Sequence, residues 1–153
     1  MRKTTCMAVF VLAITCLTLL IPMVAFAQEA EDEIAPRGVF INITTGTEDL
    51  QKCSMALALA GKCLEAGREV TVFLNVHAIE LAVTEQDAKM YNTDDPIRSK
   101  VAGLIKDGAA VLVCPMCLAN SVYSEDNLLP GVQVAGGDSF FPPLDDGAAV
   151  FSY

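Results

Sequence analysis

From residue 38 onward, short apolar runs alternate with segments of helical periodicity, and this alternation limits the folds open to the chain. The runs at residues 38–44, 69–74 and 109–113 are typical of buried strands. Two shorter runs, at residues 132–134 and 148–151, predict two more strands. Strands that alternate with helices are joined by right-handed crossovers, which produce a mainly parallel sheet with helices on both faces. The chain is therefore predicted to be an α/β protein with a five-stranded sheet.

Two amphipathic helices and several loops connect these strands. A helix is predicted over residues 50–66, where an apolar stripe recurs at helical spacing and Gly67 follows as a stop signal. Pro96 begins the second long helix, and a short apolar helix is expected near residues 78–83. Residues 84–95 and the Gly/Pro/Asp-rich residues 135–147 are expected to be loops.

The amino terminus has the pattern of a secretory signal. Arg2 and Lys3 precede an almost wholly apolar stretch, and Ala25-Phe26-Ala27 fits a small-x-small cleavage site. We expect residues 1–27 to be a signal peptide, residues 28–37 a flexible acidic leader, and residues 38–153 one domain. The protein is then periplasmic or secreted, without stable membrane insertion after cleavage. The alternative is a membrane anchor formed by an uncleaved segment, since the apolar stretch is long enough to span a bilayer.

The charge balance limits the partners. The full chain has a formal charge of -9, and loss of Arg2 and Lys3 leaves eight basic against 19 acidic residues, or -11. Such a balance argues against nucleic acid and anionic membrane surfaces as partners, because both repel a negative protein.

Four of the six cysteines lie beyond the predicted signal, which is too few for a disulfide scaffold. Cys53 and Cys63 share one predicted helix at a separation of about 15 Å, too far for a bridge. Any disulfide must therefore involve Cys114 or Cys117. Cys63 is expected in the core. Cys53 lies on the apolar stripe near the start of the helix, which leaves an approach to Cys114 open.

Three segments are expected to meet at the carboxyl ends of the strands, where open α/β sheets bind ligands. The first is the turn that contains Thr45 and Gly46, and the second begins at Asn75 and includes His77. The third is Cys-Pro-Met-Cys at residues 114–117. Pro115 suits the first turn of a helix, so Cys114 should lie between a strand and a helix amino terminus, where the helix dipole favours thiolate. His77, the only histidine, is a candidate to polarise the thiol or to act as acid and base.

The Cys-Pro-Met-Cys motif is compatible with several kinds of site. Thioredoxin-type redox pairs have the same spacing, but there the motif comes early in the fold. A structural zinc site needs four ligands, and no second paired motif is present. Copper(I) accepts soft ligands such as Cys114, Cys117 and Met116. Two inert buried cysteines remain the structural alternative.

Five segments of the chain form a recognisable series: Gly-Val-Phe-Ile-Asn-Ile at 38–43, Thr-Gly-Thr-Glu-Asp at 45–49, Val-Thr-Val-Phe-Leu-Asn at 70–75, Val-Leu-Val-Cys-Pro-Met-Cys at 111–117, and Leu-Leu-Pro-Gly-Val-Gln-Val at 128–134. Through these segments the chain resembles the DsrE/DsrF-like superfamily over about residues 38–153. The resemblance implies a three-layer α/β/α fold, assembly into trimers or hexamers, and sulfur held as a persulfide on Cys114. Cys117 matches the second cysteine of a two-cysteine branch. Asn120-Ser121 stands near where relay members have Arg-Gly, and those members are largely cytoplasmic.

These observations together predict an exported sulfur-handling protein. Cys114 is expected to take sulfane sulfur from a donor and pass it to an acceptor, where these partners are proteins or small sulfur species. Cys117 is expected to resolve or protect the persulfide. Thr45, Gly46, Asn75, Pro115 and Met116 are the predicted binding contacts, and no cofactor is expected. The alternative is a soft-metal module for Cu(I) or Zn built on the same motif. A structural oligomer with inert cysteines is the third possibility.

Overall fold

The computed structural model describes residues 38–153, which form one parallel sheet with flanking helices. The strands are β1 (Gly38–Ile43), β2 (Glu69–Leu74), β3 (Ala110–Val113), β4 (Gln133–Val134) and β5 (Ala149–Ser152). The α-helices are α1 (Leu50–Glu65), α2 (Ile97–Lys106), α3 (Pro115–Ala119), α4 (Gly137–Phe140) and α5 (Pro142–Asp145). Single 3₁₀ stretches cover Thr47–Asp49, Val76–Ala82 and Glu125–Asn127.

The sheet order is β4-β3-β2-β1-β5, and every neighbouring pair is parallel. From β1 to β4 each new strand is added on the same side of the preceding one. Right-handed crossovers therefore place α1 and α2 on the same face of the sheet. β5 lies on the other side of β1, so the connection from β4 must return across the opposite face. The predicted α/β class and the five-stranded parallel sheet are confirmed.

The main core lies between the sheet and the two long helices. Alternate residues of the central strands point to this face, because side chains of a strand alternate between its two sides. They pack with the apolar stripe of α1, and Asp49 caps that helix by accepting a hydrogen bond from the Lys52 N–H at 3.1 Å. The strand residues are Val39, Ile41, Ile43, Val70, Val72, Leu74, Val111 and Val113.

The opposite face is covered by short helices at a position where the sequence predicted only a loop. The ring of Phe140, at the end of α4, lies 5.3 Å from Phe40 and 4.8 Å from Phe73, both of which point away from the main core. Pro142 and Pro143 occupy the first turn of α5, where proline is favourable because no hydrogen bond from its nitrogen is required. The prediction of a loop without helices over residues 135–147 was therefore wrong, because two short helices lie in it. The short apolar helix expected near residues 78–83 is a 3₁₀ stretch, Val76–Ala82.

The predicted signal peptide and acidic leader lie outside the described residues. Between residues 38 and 153, none of the helices combines the length and the apolar character needed to cross a bilayer.

Candidate active site

The two cysteines of the motif lie side by side at the carboxyl end of β3. Cys114 is the N-cap of α3, and its N–H donates to the Leu74 carbonyl of β2 at 2.9 Å. Pro115 begins the helix, as predicted, and its fixed φ suits that position. Cys117 is the third helical residue, which brings its side chain back beside the N-cap. The two thiols are within hydrogen-bonding reach of each other.

Val76 supplies the third polar group of the thiol site. It follows β2 directly, and its N–H donates to Cys117 Sγ at 3.2 Å. Its φ is 52°, in the left-handed region that β-branched residues rarely adopt. Strained backbone of this kind persists only where the surrounding structure imposes it, and it concentrates at functional sites. This role could not be predicted from the sequence, where Val76 is an ordinary apolar residue after a strand.

The electrostatics of the pair favour the protonated form of Cys117. Partial burial raises the pKa of the Cys117 thiol, and the neighbouring Cys114 raises it further, against the opposing effect of the Val76 N–H. Cys117 is therefore a thiol, not a thiolate, near neutral pH. The helix dipole that was expected to favour thiolate on Cys114 comes from α3, a helix of only five residues.

A cavity opens beside Cys117, and we call it the Cys117 cavity. It has a volume of about 480 Å³ and lies between the Val76–Ala82 stretch and the chain that follows α3. Its lining includes Cys117, Val76, His77, Glu80, Val122 and Tyr123. The structure thus brings His77 into the same cavity as Cys117, where its side chain is exposed. A larger cavity, of about 600 Å³, lies at the opposite ends of the strands, against Gly38, Glu69 and Ala110.

The turn that contains Thr45 and Gly46 lies against other parts of the chain. The Cys53 thiol donates to the carbonyls of Thr45 and Gly46, at 3.2 and 2.7 Å. A Cβ on Gly46 would lie 2.8 Å from the His77 carbonyl, and the Glu80 carboxylate accepts a hydrogen bond from the Thr47 N–H. Only glycine fits this contact between the turn and the Val76–Ala82 stretch. Thr45 and Gly46, which were predicted as binding contacts, therefore connect the turn to α1 and to the Val76–Ala82 stretch.

The sequence left open whether Cys53 approaches Cys114. In the structure Cys53 is fully buried, and its thiol is hydrogen-bonded to the turn at Thr45 and Gly46. Burial, followed by the nearby carboxylates of Glu48 and Asp49, raises the pKa of Cys53 from 9.0 to about 12. Such a thiol stays protonated and unreactive. Cys63 is partly buried and packs against the core, as predicted, and all four cysteines of residues 38–153 are free.

Asn75 belongs to a chain of amides across the carboxyl ends of three strands. Its Nδ2 donates to Asn42 Oδ1 at 2.7 Å, and Asn42 Nδ2 donates to Ser152 Oγ at 2.9 Å. Asn75 lies one residue beyond Leu74, whose register partner in β3 is Val113, so it is next to Cys114 along the sheet edge. Its buried Oδ1 has no hydrogen-bond partner within residues 38–153. The sequence singled out Asn75 but not Asn42 or Ser152, whose pairing depends on the register between β1 and β5.

Met116 is 74% exposed at the tip of α3, beside the thiols but turned to solvent. Within residues 38–153, no three His, Cys, Asp or Glu side chains gather in a way that could hold a metal ion. A soft-metal site would have to rely on the two thiols and this exposed thioether.

Comparisons with known proteins identify the family and the fold. Residues 37–153 match the model of the DsrE/DsrF-like family. Two similar solved structures are the protein of unknown function MTH1491 from Methanobacterium thermoautotrophicum and the ychN protein from E. coli. Each is 19% identical with a TM-score of 0.57; the first alignment covers 75% of this chain and 97% of its match, and the second covers 76% and 99%. The comparison with curated proteins gives no match.

Proposed function

We propose, from the premise that this chain belongs to the DsrE/DsrF-like family, that it is a sulfur carrier holding sulfane sulfur as a persulfide on Cys114. The observation that supports this most is the pairing of Cys114 with Cys117 at the end of β3, beside the Val76 N–H. A donor gives its sulfane sulfur to the Cys114 thiolate, and an acceptor thiol later removes it.

Cys117 determines how long the persulfide lasts. Its thiolate can attack the inner sulfur of the Cys114 persulfide, which forms the Cys114–Cys117 disulfide and releases hydrosulfide with the bonding electron pair. Only the thiolate attacks, and the raised pKa of Cys117 keeps that form scarce near neutral pH. The persulfide therefore survives until an acceptor arrives. The Val76 N–H, directed at Cys117 Sγ, stabilises the thiolate when it forms.

Loading followed by cyanolysis tests this function, because cyanide removes sulfane sulfur as thiocyanate. The reduced protein is incubated with polysulfide, desalted and treated with cyanide. We expect one thiocyanate per chain from the wild type and from the matched control Cys63→Ser, and none from Cys114→Ser. Equal thiocyanate from Cys114→Ser and the control would reject Cys114 as the sulfur site.

We also propose that the carrier works outside the cytoplasm, after loss of residues 1–27, and that it forms trimers or hexamers. The apolar stretch and small-x-small site support the export, and family membership supports the assembly. The intact mass of protein recovered from the periplasm or medium should correspond to a chain that begins at Gln28. A mass that retains residues 1–27 would instead favour the anchored form.

A further inference from the structure

The wall of the Cys117 cavity is apolar where it meets solvent. Val122 is 92% exposed and Val76 is 57% exposed, and both line the cavity beside Cys117. Buried Ile79 and partly buried Tyr123 form part of the same wall. Apolar surface left in contact with water next to the thiol pair favours a ligand that has an apolar body.

The polar lining of the cavity is largely engaged with its own loop. Asn120 Nδ2 donates to the Met116 carbonyl at 2.7 Å, and Ser121 Oγ donates to the Leu118 carbonyl at 2.8 Å. The ionisable side chains in the lining, besides Cys117 and Tyr123, are His77 and Glu80, and no lysine or arginine is among the residues that line this cavity. An anionic ligand would therefore meet apolar surface near the Glu80 carboxylate, which accepts a hydrogen bond from the Thr47 N–H, with no lysine or arginine in the lining to compensate its charge. The formal charge, which is -9 for the full chain and -11 without Arg2 and Lys3, adds to this repulsion.

We propose that the Cys117 cavity binds the organic body of a low-molecular-weight persulfide, R–S–SH, whose body R is uncharged or cationic. This rests on the proposed function, because the persulfide is the donor that loads Cys114, whose thiol neighbours Cys117, the cysteine that lines the cavity. The Cys114 thiolate forms a bond to the outer sulfur of the donor, and the S–S bond of the donor breaks. R–S⁻ leaves with the bonding electron pair and takes a proton from water. The sulfane sulfur passes from one thiol to another, without net oxidation.

Three persulfides that share a two-carbon body test the charge preference. They are made from 2-mercaptoethanol, 2-aminoethanethiol and 2-mercaptoethanesulfonate, and carry a hydroxyl, an ammonium and a sulfonate. The initial rate of sulfur gain is measured by intact mass on the full mature chain. We expect the hydroxyl and ammonium persulfides to load about tenfold faster than the sulfonate, as expected for one uncompensated like-charge contact.

Val122→Lys introduces a cation at the cavity without affecting buried residues. We expect this variant to load the sulfonate persulfide faster and the ammonium persulfide more slowly than the wild type. Met55→Lys is the matched control, since Met55 is exposed, lies on α1 and does not line the cavity. Equal effects of the two variants would mean that only the overall charge matters, which would overturn the proposal, as would faster loading of the wild type by the sulfonate persulfide.

Loading with polysulfide tests the proposed function independently of the cavity proposal, because polysulfide has no organic body to bind in the cavity. Loading of Cys114 by polysulfide, with equal rates for the three organic persulfides, would overturn only the cavity proposal. Loading by none of the four sulfur sources would overturn both.

Discussion

At the scale of single residues, Val76 joins the end of β2 to the thiol pair. Its N–H reaches Cys117 Sγ because the backbone turns through a φ of 52° at this residue. That conformation costs a β-branched residue about 1–3 kcal/mol, whereas glycine adopts it freely. The chain thus accepts a less stable backbone at the position that presents an amide to the thiols.

Val76→Gly should raise the free energy of unfolding by about 1 kcal/mol, measured from urea midpoints. The side chain is 57% exposed, so little packing is lost, and the N–H remains in place. Val122→Gly is the control, because Val122 is also exposed but has no positive φ. There we expect no stabilisation. A wild-type-like midpoint for Val76→Gly would show that the residue is not strained.

Cys53 should make the stability depend on alkaline pH. Its pKa is raised from 9.0 to about 12 in the fold, so between these values the unfolded chain loses the thiol proton before the folded chain does. The contribution of Cys53 is fully present below pH 9 and is lost as the pH rises toward 12. Cys53→Ser keeps a donor for the carbonyls of Thr45 and Gly46 but does not titrate. We expect the free energy of unfolding to fall less steeply in this variant than in the wild type, and parallel curves would contradict the raised pKa.

At the scale of secondary structure, the sequence predicted the elements that carry the thiols. The apolar run before Cys114 indicated β3, and Pro115 indicated the first turn of α3, because both signals are local. Other features depend on contacts distant in sequence and could not be predicted. The left-handed Val76 is imposed by the packing after β2, and the thiol of Cys53 is directed by carbonyls of a separate turn. Pro142 and Pro143 were assigned to a loop although proline also begins helices, as it does in α5.

The turn before β4 gives a prediction at this scale. Gly131 has a φ of 91°, and a Cβ there would lie 2.6 Å from Ile105 Cγ2 of α2. Gly131→Ala should lower the free energy of unfolding by about 1–3 kcal/mol. Gly103→Ala is the matched control: Gly103 lies inside α2, where a Cβ meets nothing within 4 Å, and alanine should stabilise the helix by about 0.5–1 kcal/mol. The same sign for both changes in urea unfolding would contradict this account.

At the scale of the whole molecule, sheet order determines which segments meet. The carboxyl ends of β2 and β3 lie side by side, which brings the residues after Leu74 next to Cys114. The sequence predicted this meeting from topology alone, because parallel strands end at the same edge. It did not predict the Cys117 cavity, whose walls come from an irregular stretch and from the loop after α3.

The edge strand β5 exposes apolar side chains, among them Val150 at 59%. Apolar side chains exposed on an edge strand form a surface that oligomers commonly cover. For the trimer or hexamer proposed from family membership, we expect the mature chain to elute from size exclusion at that size, with its mass measured by light scattering. A monomer at micromolar concentration would contradict the proposed assembly.

Whether Cys114 holds the sulfur is tested by intact-mass spectrometry with peptide mapping of the reduced mature protein after exposure to polysulfide. We expect a gain of one sulfur atom, located on Cys114 and absent from Cys114→Ser. Cys117→Ser should retain the sulfur longer than the wild type, because the attack that releases hydrosulfide is removed. Sulfur located on Cys117, or an equal gain in Cys114→Ser, would contradict the assignment of Cys114 as the residue that holds the sulfur.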